Sequence, residues 1–387
     1  MIAIIPLLLL SLLSAPPDGG DPSGRGNHPL EKLHAGCWTA LGVNTLHDVR
    51  YVPEPGGKLI RTIMTAWSGA AYNTDREQLW VHGGGHGDGA DNSVYSFDVE
   101  TLTWTRLFDP STVVSGHTGR YYLDGHPAAV HSYDYVEYVP SLKRLVIAGA
   151  RGPYPGTTPH TTVDAVDETG FWMRLNDVPS CVHPAAAVHP DTGILWQHGG
   201  EGAGFLASFD ALSGGMGGEW ISHGDSMTDH LPGPSHSCAI DPVAGLFVML
   251  NVGKWSDGSI WVWDISGGHK AGTIKGTPLA VTGDSTILEH ATPGVDWDPV
   301  RKKLYAWAGG TAVYEIDVAR QVIRSVPLAA GGAVGVAVKT VTEPTPGAVN
   351  GTFGRWRYVK KYDVFLGVNN VDEPVRFFKL PDDGAGR

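Results

Sequence analysis

The sequence predicts an all-β fold, a ring of four-stranded blades, on three observations. Glycine makes up 52 of the 387 residues, about twice the usual share, and with 27 prolines it implies many tight turns. No stretch carries a 3.6-residue apolar period with capping residues at its ends, so long helices are not expected. A four-part pattern recurs along the chain: an apolar run, a glycine turn, an aromatic strand ending in Asp, and a return strand bearing Trp. A repeat of that make-up predicts a single β-propeller.

The clearest copy is Leu79–Leu107, LWVHGGGHGDGADNSVYSFDVETLTWTRL. Leu79, Trp80 and Val81 form the apolar run, and Gly83–Gly85 supply the positive φ that a reversal needs. In SVYSFDV, Tyr95, Phe97 and Val99 alternate with Ser96 and Asp98, the period-2 signature of a strand. Trp104–Leu107 then runs back. Strand-ending aspartates recur at Asp98, Asp210, Asp264 and Asp317. From Asp210 to Asp264 is 54 residues, from Asp264 to Asp317 is 53, and from Asp98 to Asp210 is 112, two such steps. Glycine turns at Gly84–Gly85, Gly149, Gly199–Gly200, Gly253 and Gly309–Gly310 keep the same rhythm.

Each blade opens with a strand of its own: Gly69–Asn73, Tyr133–Val139, Ala185–His189, Cys238–Asp241, Val295–Asp298 and Arg355–Val359. Six openings favour six blades; a seventh requires Val43–Ile63 to hold a degenerate unit. The chain ends before the last blade has a fourth strand. Cys37–Leu41 matches the Trp-bearing return strand, so the N-terminal strand is expected to close the ring, which removes exposed sheet edges. Residues 36–387 then form the propeller domain.

The first 15 residues, an apolar run too short to span a bilayer, read as a signal peptide and 16–35 as a flexible lead-in. A secreted or periplasmic protein is expected, with no membrane span. The net charge of −12 argues against a general nucleic-acid binder. A monomer with no organic cofactor is expected.

Histidine or arginine recurs at most blade openings, where side chains line the axis. A lone histidine is usually a hydrogen-bonded structural group; recurrence at one place in successive blades marks these. His131 and Tyr133, two apart on an expected inner strand, are the acid/base candidates, joined by His86 in the glycine turn and His290 in blade 5. Arg355 and Arg357 share an expected strand face and suit a carboxylate; salt bridges with nearby acids are the alternative. His117, in the long loop 108–130, and Tyr358 are further substrate-binding candidates. Cys181, His183, His236 and Cys238 form two pairs with two-residue spacing on adjacent blades, which suits a structural zinc. A Cys181–Cys238 disulfide and two free thiols remain open alongside it.

The GGGH-x-D turn, the Y-x-F-D strand and the closing Trp resemble kelch-type propellers, from Cys37 to Leu380. Within that group the His, Tyr and Arg groupings resemble the β-propeller polysaccharide lyases of the ulvan-lyase kind. That resemblance implies β-elimination on an anionic, uronic-acid-containing polysaccharide, with histidine and tyrosine moving protons and arginine beside the uronate. It also implies a structural zinc. Those lyases are usually described with seven blades, a departure from the six counted here. Two other readings stand beside it: a metal-dependent hydrolase using His86, His131, His183, His236 and His290, and a non-catalytic propeller that binds a glycan or a protein.

Overall fold

The recurring aspartates explain how four of the six blades turn. A computed structural model of the chain describes residues 28–179, 184–199, 206–224, 236–252, 258–290, 292–329 and 350–381. In it Asp98 accepts the amide of Thr101, Asp210 that of Leu212, Asp264 that of Ser266 and Asp317 that of Arg320. The carboxylate satisfies an N–H that the reversing backbone cannot. Six non-glycine residues with positive φ (Glu77, Leu102, Lys143, Lys302, Gln321 and Asp363) each stand immediately before a strand, as the left-handed last residue of a hairpin turn.

The strands begin with β1 (Cys37–Leu41). Blade 1 holds β2 (Gly69–Asn73), β3 (Gln78–His82), β4 (Tyr95–Asp98) and β5 (Thr103–Arg106). Blade 2 holds β6 (Val136–Val139), β7 (Arg144–Ala150), β8 (His160–Val166) and β9 (Trp172–Leu175). Blade 3 holds β10 (Ala185–Val188), β11 (Leu195–His198), β12 (Leu206–Asp210) and β13 (Glu219–Ser222). Blade 4 holds β14 (His236–Asp241), β15 (Leu246–Asn251), β16 (Ser259–Asp264) and β17 (Thr277–Leu279). Blade 5 holds β18 (Thr282–Gly283), β19 (Gly294–Asp298), β20 (Lys303–Trp307), β21 (Tyr314–Asp317) and β22 (Val322–Ser325). Blade 6 holds β23 (Trp356–Val359), β24 (Val364–Gly367) and β25 (Val375–Lys379).

Strands adjacent within a blade pair antiparallel, and β18 adds in parallel to β22 as a fifth strand. The outer strand of blade 6 comes from the other end of the chain: β1 pairs antiparallel with β25, Cys37 opposite Lys379 and Leu41 opposite Val375. The described residues thus form the six-bladed, all-β propeller that the repeat predicts. Among them no helix is long and apolar enough to cross a membrane.

Two openings start later than the spacing suggested, and both shifts touch candidate residues. Blade 2 opens at Val136, so His131 and Tyr133 lie ahead of the strand rather than on it. Blade 6 opens at Trp356, with Arg355 in a 3₁₀ turn, Phe353–Arg355. The stretch 43–63 holds two 3₁₀ turns and the start of a short helix, and no strand. Part of it covers the edge of blade 1 instead. Val43 N–H donates to Leu102 O, and the Asn44 carboxamide both accepts from Trp104 N (2.8 Å) and donates to Trp104 O (3.0 Å). One side chain stands in for the missing neighbour strand. Asn44→Ala is expected to destabilise the fold by about 1–2 kcal/mol, read as a lower denaturant midpoint with an unchanged slope; an unmoved midpoint would contradict this role.

Tryptophan fills the blades, with Trp80, Trp104, Trp196, Trp263, Trp307 and Trp356 all fully buried. Around the axis each inner strand packs on the next, from β2 through β6, β10, β14 and β19 to β23, and the Phe353–Arg355 turn packs back on β2. The approach there is close. A Cβ on Gly69 would run into the Tyr133 carbonyl oxygen, and one on Gly354 into that of Ala70. Arg357 reaches across this ring of backbone. It donates to Gly354 O and Ala70 O (both 3.0 Å) and pairs with Glu137 at 2.6 Å. Asp134 accepts the Cys238 amide at 2.7 Å, which ties blade 2 to blade 4. Burial pushes the Glu137 carboxyl up to about 7 although Arg357 pulls it down.

Candidate functional site

Among the described residues ten non-glycine residues hold positive φ, and the four that are not hairpin residues gather in one place. They are Trp67 (φ 49°), His86 (φ 49°), Tyr133 (φ 38°) and Phe353 (φ 50°). The His131 ring lies 5.0 Å from Trp67, stacks on His86 at 5.4 Å and meets Tyr133 edge-on at 6.0 Å; Phe353 lies 5.7 Å beyond Tyr133. Bulky side chains are costly in this conformation and persist where surrounding structure enforces it, a pattern that concentrates at functional sites.

The local sequence explains each placement. Gly83–Gly85 let the turn after β3 press onto the next blade: His86 N–H donates to Gly152 O at 2.5 Å, and a Cβ on Gly85 would strike the Val130 backbone. The same turn delivers Asp88, whose carboxylate lies 2.9 Å from His131 Nε2. His131 N–H donates to Arg151 O at 3.0 Å. The fully buried Tyr135 hydroxyl bridges these two positions, donating to His131 O and accepting from Arg151 N (3.0 Å). Tyr133 N–H donates to Trp67 O at 2.7 Å. Asp88 thereby holds a buried imidazole by one nitrogen, while His86 stacks over it exposed to solvent.

Burial drives the His131 imidazole down to about 4, opposed by the Asp88 hydrogen bond and charge. Burial brings His82, at the end of β3, to about 4 as well. A histidine depressed on folding contributes stability that is complete above its unfolded pKa, about 6.5, and is lost as pH falls through its folded value. The stability gap between the wild type and His131→Gln is therefore expected to shrink by about 2–3 kcal/mol as pH falls from about 6.5 to about 4. Denaturation midpoints of the two proteins across that range measure it; a constant gap would contradict a neutral buried His131.

The other candidates stand elsewhere. Arg355 is fully buried and spends its donors on Ser68 O, Gly351 O (2.6 Å), Val368 O (3.1 Å) and Asn369 Oδ1 (3.2 Å). Among the described residues no carboxylate pairs with it, and burial takes its pKa down to about 9. Arg357 is held by Glu137 and backbone carbonyls, the salt-bridge alternative with a different acid from those near it in sequence. The expected shared strand face of the two arginines is absent because Arg355 lies in the 3₁₀ turn. Tyr358 is buried and donates to Asp363 at 2.8 Å. His117 packs on Tyr122 at 4.8 Å in the loop between blades 1 and 2. His290 follows a 3₁₀ turn in blade 5 and is exposed, not on an inner strand.

His236 and Cys238 are buried, two apart on β14, and Cys37 and Cys238 are free thiols. Burial, then the Asp134 charge, pushes the Cys238 thiol well up. Cys181 and His183 lie outside the described residues. Among the described residues no group of three or more His, Cys, Asp or Glu side chains is placed to hold a metal ion. Trp67, Arg151 and Phe353 join the site with no signal in the sequence beyond adjacency to blade openings and glycine turns.

Comparison with known proteins supports the repeat. The Kelch motif family matches residues 66–107, which span blade 1. No curated protein matches the chain. Among solved structures it is similar to an auxiliary nutrient binding protein from Bacteroides ovatus ATCC 8483, at 11% identity and a TM-score of 0.46, over 88% of this chain and 76% of that one. It is similar at 10% identity and 0.46 to an auxiliary nutrient binding protein from Bacteroides thetaiotaomicron VPI-5482, over 88% and 75%. A chain of the mitotic checkpoint complex matches at 11% identity and 0.43, over 91% and 98%. At such identities none of them assigns an activity to this chain.

Proposed function

We propose that this propeller is a polysaccharide lyase whose active site is the His86–Asp88–His131 cluster, acting on an acidic, uronate-containing chain. The observation that carries the reading is an exposed imidazole, His86, stacked at 5.4 Å on a second imidazole that a carboxylate fixes. In β-elimination a base takes the proton from the carbon next to the uronate carboxylate. A carbon–carbon double bond forms and the glycosidic oxygen leaves, taking up a proton. His86 is the accepting base, since its ring faces solvent and Asp88 occupies Nε2 of His131. Tyr133 is the group that returns a proton to the leaving oxygen. Arg151, half-buried beside His131, replaces Arg355 and Arg357 as the cation for the uronate, where a positive charge stabilises the developing dianion.

The test is incubation of the full-length protein with a panel of polyuronates and sulfated uronate polymers, following ultraviolet absorbance from unsaturated ends. The expected result is product from at least one uronate polymer and none from neutral glucans. A binding propeller without chemistry is the second reading, favoured by the confinement of Arg355 and Arg357 to the interior. Saturable binding of a polymer that yields no unsaturated ends would establish it and remove the lyase.

A further inference from the structure

Ser132 stands between His131 and Tyr133, and its side chain is fully buried. Its hydroxyl is built into the neighbouring blade. Gly69 N–H donates to Ser132 Oγ at 2.8 Å, and Ser132 Oγ donates to His82 O at 2.6 Å. Gly69 opens β2, His82 ends β3, and the two residues stand opposite each other in the ladder of blade 1. A serine has one proton to give and a carbonyl only accepts, so the hydroxyl has one setting. The flanking backbone is held from both sides. Tyr133 N–H donates to Trp67 O, ahead of blade 1. His131 N–H donates to Arg151 O and His131 O accepts from the Tyr135 hydroxyl, both on the side of blade 2.

His82 is the stem of the turn that carries His86 and Asp88, and that turn has little slack. Gly84 N–H donates at 3.1 Å to Oγ of Ser68, which is itself fully buried. Within the turn Gly85 N–H donates to Gly89 O at 2.7 Å, and Asp88 N–H to Gly85 O at 3.0 Å. A displacement of His82 therefore reaches Asp88, whose carboxylate lies 2.9 Å from His131 Nε2. Such a hydrogen bond weakens steeply when its partners part or tilt. Without the Ser132 hydroxyl, Gly69 N–H and His82 O face a methyl group, and buried backbone groups do not stay unpaired. They close on each other or admit water, and either change moves His82.

We propose that Ser132 is a positioning residue of the site, setting the register between the His86–Asp88 turn and His131; its catalytic part rests on the reading of that cluster as the active site. Ser132 touches no substrate. Its effect passes through the Asp88–His131 bond, which fixes the imidazole on which His86 stacks.

The tautomer of His131 reads the register without substrate. Long-range proton–nitrogen NMR correlations of the full-length protein at neutral pH are expected to show a single Nε2–H tautomer in the wild type. In Ser132→Ala a mixture with the Nδ1–H form is expected. Ser208→Ala is the control for loosening in general. Ser208, on β12, is also fully buried, and its Oγ lies 2.7 Å from Nε2 of His223 and 2.8 Å from Nδ1 of His269. That variant should leave His131 as it is in the wild type. On a uronate polymer that yields unsaturated ends, kcat of Ser132→Ala is expected to fall about 10–100-fold with KM unchanged. Should Ser132→Ala fail to fold, Ser132→Cys, which keeps a weaker donor in place, is read in the same two ways. A tautomer that survives the substitution, a wild type without it, an equal change in Ser208→Ala, or an unchanged kcat overturns the role. A wild type that releases no unsaturated ends from any polymer removes the lyase reading instead, and the tautomer then still decides whether Ser132 sets the register.

Discussion

Arg355→Ala is expected to cost about 3–5 kcal/mol of stability, a large fraction of what a folded protein ordinarily has. The substitution removes a guanidinium that satisfies the carbonyls of Ser68, Gly351 and Val368 inside the seam between blades 6 and 1. Each carbonyl left buried and unpaired costs about 1–3 kcal/mol, and all three face a side chain that is fully enclosed. Chemical denaturation measures the loss; a variant unfolding at the wild-type midpoint would show that the seam does not depend on Arg355. A carboxylate-binding Arg355, the role its strand position suggests in the sequence, would instead be dispensable for folding. The difference is one of position: Arg355 sits in the turn ahead of β23, where it faces backbone rather than an open mouth.

His86→Asn is expected to lower product formation by about 10²–10⁴-fold while leaving the fold unchanged. Asparagine is the right replacement because His86 has φ 49°, a conformation that asparagine tolerates better than alanine does. The side chain is exposed, so its removal opens no cavity. His131 gives a less clean test, since its buried ring packs against Trp67, His86 and Tyr133 and its loss disturbs all three. Initial rates of unsaturated-end formation, beside thermal melts of both proteins, read the two effects separately. Full activity in His86→Asn would remove His86 as the base and leave the elimination chemistry without a proton acceptor.

Much of the ring was legible because its signals are local. Period-2 alternation and glycine turns mark strands and reversals. The repeating Asp marks one hairpin in each of four blades because its side chain caps that turn. The stretch Gly36–Leu41, which resembles the Trp-bearing return strand, contains β1, and β1 pairs with β25. The candidate site was legible only in part. His86, Asp88 and His131 sit in motifs, but their meeting depends on how deeply the Gly83–Gly85 turn presses into blade 2, and no spacing rule gives that. The expected strand face for His131 and Tyr133 failed because the chain bends sharply at Tyr133 before β6 begins.

Contacts across the axis were not legible at all. The Asp134 bond to the Cys238 amide and the Arg357–Glu137 pair link residues 104 and 220 positions apart. Buried charges of this kind look like surface charges in a sequence. The same holds for Ser208, an ordinary strand serine until two imidazoles from different blades converge on it.

On the proposed reading, ligand meets the protein at the exposed imidazole face of blades 1 and 2. The most direct measurement is a titration with a short uronate oligosaccharide while the histidine ring signals are followed by NMR. The signals of His86 and His131 are predicted to shift together and saturate, with His290 unmoved. Saturating shifts at His290 while His86 and His131 stay fixed would place the ligand on another part of the ring and rule out the His86 face as its site.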